Sequence, residues 1–451
     1  MSCAFESYFE SFKNKRIAVF GLGVSNRPLV RLLLEFGCDC IGCDQTPREK
    51  LDEEVLELER MGCKLSVGAG YAEGLEADLV FRTPGMHPGN PGLEALRAKG
   101  ATVTSEMQAF FDLCPCTVLA ITGSDGKTTT TRLISEILRA AGKKVWEGGN
   151  IGTPLLPLIR EMKETDFCVV ELSSFQLMDL RCSPRVAVVT NLAPNHLDVH
   201  KDMDEYVQAK MNIFTSQGKD DVLVVNGDNP ITAPFAGNGI TKSFSYLGKD
   251  SAVKLEGDMI IRNGVAVLNR KDILLPGDHN VENYMAAIAA VEGFVEDDII
   301  RQVAKTFGGV EHRIELVRIK DGIRFYNDSI ASSPSRTIAG LKSFPEKVIL
   351  IAGGYDKNIP YDALGPEVCS HVKKLFLCGA TAPQICAAVN ACSGEKPEMV
   401  DCGKFEAAVR AAAAAAESGD VVLMSPASAS FDEFKNFVVR GNFFKKIVLE
   451  L

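Results

Sequence analysis

The sequence predicts an α/β fold with three domains in series, and three observations predict it. Short apolar runs without polar interruption recur along the chain, as strands buried on both faces of a parallel sheet require. Several of these runs end in glycine-rich turns, at Gly21-Leu-Gly23, Gly123 to Gly126 and Gly353-Gly354. Segments with helical apolar spacing follow the turns, so strand and helix alternate over most of the chain.

Length and composition agree with that class. At 451 residues the chain holds roughly two to four domains, each with its own core. Apolar content is 46% and charge 24%, ordinary for an α/β enzyme. With 49 basic and 59 acidic residues the net charge is −10, which argues against non-specific nucleic-acid binding. The first ten residues carry acids and no apolar core, so they do not read as a signal peptide. No run approaches the roughly 18 apolar residues of a membrane span, and the expectation is a cytoplasmic protein without membrane insertion. Fourteen cysteines are scattered, and Cys114-Pro-Cys116 lacks a second pair at zinc spacing. They read as small buried hydrophobes.

Arg16 to Gly23 is a strand entering a glycine-rich turn, Pro28 to Phe36 is helical, and a second strand ends at Asp44. An acid about twenty residues beyond the glycines resembles the first half of a dinucleotide fold. Asn26 stands where a third glycine belongs, so a nicotinamide, a phosphate and a nucleotide sugar all remain open as ligands. Asp78 to Gly85 is another strand ending in a tight turn, a second wall for the same ligand. These segments form an N-terminal Rossmann-like domain over residues 1–104, with a linker near Val103 to Glu106.

The central domain, 105–309, is organised around Val118 to Thr130. An apolar strand runs into Gly123-x-x-Gly126-Lys127-Thr128, and a helix from Thr131 to Ala141 follows. Glycines let backbone N–H groups converge on anionic oxygens, and the helix N-terminus adds its positive end. This is P-loop logic, with Lys127 reaching the β/γ-phosphates and the Thr128 hydroxyl on Mg²⁺. The loop's two glycines are separated by two residues, where the general pattern has four. Phe167 to Glu171 and Arg185 to Asn191 read as buried parallel strands, so Glu171 and His196 lie beyond strand ends, where α/β sheets bind ligands. The bland readings are a solvated acid for Glu171 and a His196-x-Asp-x-His200 zinc site. A helix over Asp204 to Phe214 places Lys210 among apolar neighbours, where a lysine ordinarily snorkels to water. Residues 241–275 read as antiparallel, with turns at Gly257-Asp258 and Asn263-Gly264.

The C-terminal domain, 310–451, opens with a hairpin at Asp321-Gly322 and continues as strands Lys347 to Gly354, Lys374 to Cys378 and Asp420 to Met424. A strong helix is expected over Phe405 to Ser418, and a last one from Asp432 to Val439.

At this point the residues resemble a known family along nearly the whole chain, the Mur ligases, ATP-dependent amide-forming enzymes of peptidoglycan assembly. The matching stretches, in order, begin with Gly123-Ser-Asp-Gly-Lys-Thr-Thr129, Gly148-Gly-Asn150, Glu171-Leu-Ser-Ser-Phe-Gln and Asn195-His196-Leu-Asp. Tyr206…Lys210, His279-Asn280…Asn283 and His312-Arg313 follow. Ser425 to Asp432 and Phe434 to Gly441 resemble the D-glutamate-adding branch.

The resemblance implies ATP on Gly123, Ser124, Asp125, Gly126, Lys127, Thr128, Thr129, Asn283, Arg313 and Asp328. It implies Mg²⁺, two ions, on Thr128, Glu171, His196 and a carbamylated Lys210, with Lys127, His196 and Lys210 catalytic. UDP-N-acetylmuramoyl-L-alanine would sit on Ser25, Asn26, Gln45, Thr46, Thr83, Gly85, Asn150 and His196. D-glutamate would be received by Ser332, Lys357, Ser430 and Phe437. The enzyme would act as a monomer through an acyl phosphate. The alternative is another Mur-type ligase or a folylpolyglutamate synthetase with a different acceptor. Asp125 and Ile330 depart from the pattern, where the family carries Asn and often Lys.

Overall fold

The computed structural model describes residues 2–196 and 199–451; Leu197 and Asp198 of the Asn195-His196-Leu-Asp stretch lie outside them. The chain divides into two compact units, Met1–Leu268 with Glu282–Ile300, and Asn269–Val281 with Arg301–Leu451.

The first unit holds two sheets. Strands β1 (Ile17–Phe20), β2 (Cys40–Asp44), β3 (Lys64–Val67), β4 (Leu79–Arg82) and β5 (Thr102–Thr104) lie in the order β3-β2-β1-β4-β5. The four neighbouring pairs are parallel, because a helix or long loop returns the chain after each strand. Strand order reverses at β1, which opens a crevice beyond the carboxyl ends of β1 and β4.

The second sheet comprises β6 (Thr117–Thr122), β7 (Val145–Gly149), β8 (Phe167–Glu171), β9 (Val186–Val189), β10 (Val222–Asn226), β11 (Ile240–Ser245), β12 (Val253–Glu256), β13 (Met259–Arg262) and β14 (Val265–Asn269). Their order is β14-β13-β12-β11-β10-β9-β6-β8-β7. Strands β6, β8 and β9, apolar except for the threonines at the ends of β6 and Glu171 at the end of β8, are its buried centre. The antiparallel expectation for 241–275 holds only in part. Strand β11 is parallel to both β10 and β12, while β12 and β13 pair antiparallel. The segment between β10 and β11 folds back with Thr232 and Phe235 buried, which makes a crossover rather than a hairpin. One apolar cluster runs from Phe5 through Phe110 and Leu155 to Phe235, joining both sheets in a single core.

The second unit holds β15 (Glu315–Lys320), β16 (Ile323–Asn327), β17 (Val348–Gly353), β18 (Val372–Cys378), β19 (Glu398–Asp401) and β20 (Val421–Met424), in the order β15-β16-β20-β17-β18-β19. The β15–β16 hairpin turns at Asp321 (φ 52°) and Gly322 (φ 79°), the doubly left-handed turn that Asp-Gly favours. The last helix spans Phe437–Glu450 rather than Asp432 to Val439. Asn436 is its cap, accepting from the Val439 amide at 3.0 Å, while the Glu433 and Phe434 amides turn back to the Ser430 carbonyl. No helix among the described residues is long and apolar enough to cross a membrane.

Glu106, the first residue of the helix Glu106–Leu113, is a buried acid with a testable consequence. One carboxyl oxygen has no hydrogen-bond partner among the described residues. Burial pushes this carboxyl from its ordinary 4.5 up to about 7, against a single amide bond from Leu156. A raised carboxyl stabilises the fold while protonated, so its contribution is present below about 4.5 and lost as pH rises through about 7. Glu106→Gln should therefore stabilise the protein near pH 8 by on the order of 3 kcal/mol, shrinking towards pH 5. Thermal midpoints that differ equally at both pH values would refute this assignment.

Candidate active site

The phosphate loop follows from two backbone requirements. Gly126 has φ 77° and caps the helix Lys127–Ala140, which thus starts four residues earlier than its apolar spacing suggests. A Cβ on Gly126 would lie 2.4 Å from Asn283 Oδ1, and one on Gly123 1.9 Å from Thr190 Oγ1. Only glycine permits both the left-handed turn and these approaches. Thr190 in turn donates to the Asp125 carbonyl at 2.6 Å, and the Asn191 side chain accepts the Asp125 amide at 2.9 Å. The Ser124 hydroxyl accepts the Ala193 amide and meets Tyr206 Oη, each at 2.9 Å. Lys127 Nζ donates to the carbonyls of Gly123 (3.0 Å) and Ser124 (2.9 Å).

Around this loop the fold gathers four residues singled out from the sequence. Glu171, at the end of β8, is buried rather than solvated. Its Oε2 accepts the Thr128 hydroxyl at 2.7 Å, and its Oε1 accepts Asn150 Nδ2 at 2.8 Å. Asn283 accepts the Thr130 hydroxyl at 3.2 Å, beside the loop. The helix Met203–Met211, capped by Asp202, carries Lys210, which is 2% exposed and does not snorkel. Its ammonium donates to Thr122 Oγ1 at 3.0 Å and lies 4.9 Å from the Tyr206 ring centroid. Burial, then the nearby charge of Lys127, hold its pKa well below the ordinary lysine range, while Glu171 pulls the other way.

The two histidines divide differently from the zinc alternative. His196 is exposed, has φ 55°, and meets the Phe175 ring edge-on at 5.2 Å. No hydrogen bond among the described residues ties its ring to Glu171 or Lys210. His200 is the buried one. It contacts Ser174 Oγ at 2.9 Å and stacks on Phe175, and burial lowers its pKa although Glu205 at 3.4 Å opposes that.

The N-terminal candidates share the carboxyl end of the first sheet. Ser25, Gln45 with Thr46, and Thr83 with Gly85 follow β1, β2 and β4. Thr83 packs against Gly21, where a Cβ would lie 2.5 Å from its methyl group. Asn26 is buried under the turn, donating to the Phe20 and Gly21 carbonyls at 3.1 and 2.9 Å. A residue that sequence reasoning missed is Arg82. It is 1% exposed, pairs with Asp179 at 2.6 Å, and donates to the Phe175 carbonyl at 2.9 Å. It thereby fixes the Thr83–Gly85 turn against the segment after Glu171. A lone arginine ending a strand gave no signal of this.

In the second unit, Asp328 and Ser425 follow the adjacent strands β16 and β20, and the Ser425 hydroxyl donates to Asp328 Oδ2 at 2.7 Å. Burial pushes the Asp328 carboxyl up to about 7, opposed by that bond and the Ile314 amide. Arg313 is exposed between His312 (φ 64°) and Ile314 (φ 44°), a strained pair of left-handed residues that lifts it out of the fold. Ser332 lies after Asp328, and exposed Lys357 sits 5.6 Å from the Phe431 ring. Ser430 is buried, and Phe437 starts the last helix with its carbonyl accepting the Ser329 hydroxyl at 2.7 Å. The organiser, also missed from sequence, is buried Arg440, which donates to the Ser428 and Ala429 carbonyls at 3.1 Å and the Ser329 carbonyl at 2.9 Å. Ile330 lies in the same turn, its amide donating to the His312 carbonyl at 3.1 Å, so no charge stands at that position.

Comparison with known proteins assigns the family. Residues 121–291 match the Mur ligase middle domain, and residues 312–428 match the Mur ligase glutamate ligase domain. The UDP-N-acetylmuramoylalanine--D-glutamate ligase of Acetivibrio thermocellus is 51% identical over 99% of both chains. Its counterpart in Ruminiclostridium cellulolyticum is 48% identical over 100% of both. Among solved structures the fold is shared with MurC of Thermotoga maritima at TM-score 0.57 and 18% identity, covering 97% of this chain and 100% of that one. It is also shared with Escherichia coli FolC at TM-score 0.53 and 18% identity, over 76% of this chain and 92% of that one. With phosphate loop, buried strand-end carboxylate and buried lysine lying inside the matched segments, this chain belongs to the Mur ligase family.

Proposed function

We propose that this chain joins D-glutamate to UDP-N-acetylmuramoyl-L-alanine with hydrolysis of ATP to ADP and phosphate. The observation that carries this reading is full-length identity to ligases of that name. Residues 1–104 take the UDP-substrate, 105–309 ATP, and 310–451 the amino acid, in a cytoplasmic monomer.

A carboxylate is a poor acyl donor, so the γ-phosphoryl group of ATP is first moved onto it, and the D-glutamate amine then displaces phosphate. The loop amides and Lys127 hold the phosphates and neutralise charge that grows during transfer. Asn283, Arg313 and Asp328 hold the rest of the nucleotide. Oxygen donors fit Mg²⁺, and Thr128 with Glu171 offers two of them within 2.7 Å of each other. Bound Mg²⁺ adds charge neutralisation at the phosphates. A second ion fits His196 and Lys210 only if the lysine becomes an oxygen donor. The depressed pKa supplies the neutral amine for this: it attacks CO₂, a C–N bond forms, a proton leaves, and a carbamate results. Ser25, Asn26, Gln45, Thr46, Thr83 and Gly85 receive the uridine diphosphate, and Asn150 with His196 the acyl end. Ser332, Lys357, Ser430 and Phe437 position D-glutamate.

The test is phosphate release from ATP with Mg²⁺ and UDP-N-acetylmuramoyl-L-alanine. Release should depend on D-glutamate and stay at background with L-glutamate, L-lysine or diaminopimelate. Equal release with another amino acid, or with a folate acceptor, would overturn the assignment.

A further inference from the structure

The sequence offers Cys114-Pro-Cys116 without a second cysteine pair at zinc spacing, and the fold supplies the missing partner. Cys114 ends the helix Glu106–Leu113, its amide bonded to the Phe110 carbonyl at 2.8 Å. Pro115 turns the chain, and Cys116 immediately precedes β6. Cys168 is the second residue of β8, in register with Val118 of β6. The three sulfurs thereby meet, all within 4.8 Å of one another, with Cys114 Sγ and Cys168 Sγ 3.6 Å apart. A soft thioether adjoins them, as Met162 Sδ lies 3.7 Å from Cys168 Sγ. Cys168 is fully buried, Cys116 nearly so, and half-buried Cys114 provides the way in.

From this geometry we infer that Cys114, Cys116 and Cys168 form a thiolate site for one soft d¹⁰ cation, of the Zn²⁺ or Cu⁺ class. Metal–sulfur bonds of about 2.3 Å put sulfurs about 3.8–4.0 Å apart in tetrahedral or trigonal coordination. The observed spacing needs only small side-chain adjustments to reach that. Three sulfurs and a thioether select a soft ion over Mg²⁺ or Ca²⁺, so the site does not compete for the oxygen-liganded ions of ligation. Binding releases thiol protons. The site lies at the amino-terminal ends of β6 and β8, the two strands whose other ends carry Gly123 and Glu171. A bound ion would tie these strands to the helix Glu106–Leu113, beneath the phosphate loop. The bland alternative is three thiols packed as small hydrophobes.

The experiment uses the full chain, reduced, stripped with chelator and kept anaerobic. It is titrated with Zn²⁺ against a chromophoric chelator and, separately, with Cu⁺ against bicinchoninate. We expect one equivalent of at least one ion per chain, and a thermal midpoint that rises with the logarithm of free metal above Kd. The better-held ion identifies the occupant. Cys116→Ser and Cys168→Ser should weaken uptake at least about 100-fold, the upper range seen for losing a residue that merely supports a ligand. If Cys168→Ser fails to fold, Cys168→Val keeps the packing and Cys114→Ser alters the least buried sulfur. Cys63→Ser, which breaks a separate close thiol pair with Cys40 at 3.9 Å, should leave uptake unchanged. Uptake that is absent in the reduced protein, or equal in wild type and the three-cysteine variants, overturns the site. A Cys114–Cys168 disulfide forming in air without metal uptake by the reduced form would also overturn it.

Discussion

Lys127→Ala is expected to lower D-glutamate-dependent turnover by about 10³-fold or more while leaving the protein folded. Lys127 is the first residue of the phosphate-loop helix, and its ammonium rests on two loop carbonyls, at 3.0 and 2.9 Å. Removing it exposes those carbonyls to water at the surface of the loop, a change of about 1 kcal/mol or less in stability. The same deletion strips a positive charge placed at the loop to neutralise the γ-phosphoryl group during transfer. The two effects are therefore separable by measuring turnover and thermal midpoint on one sample. A variant that keeps more than about a tenth of wild-type turnover would take Lys127 out of the transfer step.

The second large effect is expected at Lys210. An ammonium in this position is disfavoured on three counts: it is almost completely buried, it makes a single hydrogen bond among the described residues, to Thr122, and Lys127 repels it. As a carbamate the same side chain carries negative charge and two oxygens towards the Glu171 region, where cation ligands are needed. Lys210→Ala should lose about 10²-fold or more in turnover, and formate or acetate should partly restore it by filling the vacated volume with a carboxylate. The fold should tolerate the change, because it removes a buried charge as well as a hydrogen bond. A lysine that merely packs along the core would give mild loss and no response to added carboxylate. Intact-mass or crystallographic detection of an unmodified Lys210 amine beside occupied Mg²⁺ sites would likewise reject the carbamate.

Much of the site was legible because its signals are local. A phosphate loop needs strand, glycines, lysine and helix consecutively, so Gly123 to Thr128 reveals itself in a few residues. A strand-end residue such as Glu171 follows from counting to the end of an apolar run, whereas the role expected of Asp328 came only from the family resemblance. The Asp321-Gly322 hairpin was readable for the same reason, since two left-handed residues in succession demand that pair. Boundaries were less legible. Residues 432–436 are helix-compatible, but Asn436 bonds the Val439 amide and sets the start at Phe437. Strand β11 looked like part of a meander because periodicity does not record direction; the buried crossover through Thr232 and Phe235 does.

What the sequence determined by itself is therefore the α/β class, the run of parallel strands, the phosphate loop and the family. Each is encoded in contiguous residues, through periodicity, turn chemistry or an ordered series of motifs. What only the tertiary structure decided is which distant residues meet and how dry their surroundings are. Arg82 and Arg440 became organisers because the carbonyls they hold come from turns far away in sequence. Lys210 changed from a solvated lysine to a buried, depressed amine because the helix Met203–Met211 packs it against Thr122 and Tyr206. Cys168 joined Cys114 and Cys116 because β6 and β8 pair in a register that aligns it with Val118. Desolvation and proximity depend on three-dimensional neighbours, and one-dimensional spacing does not contain them.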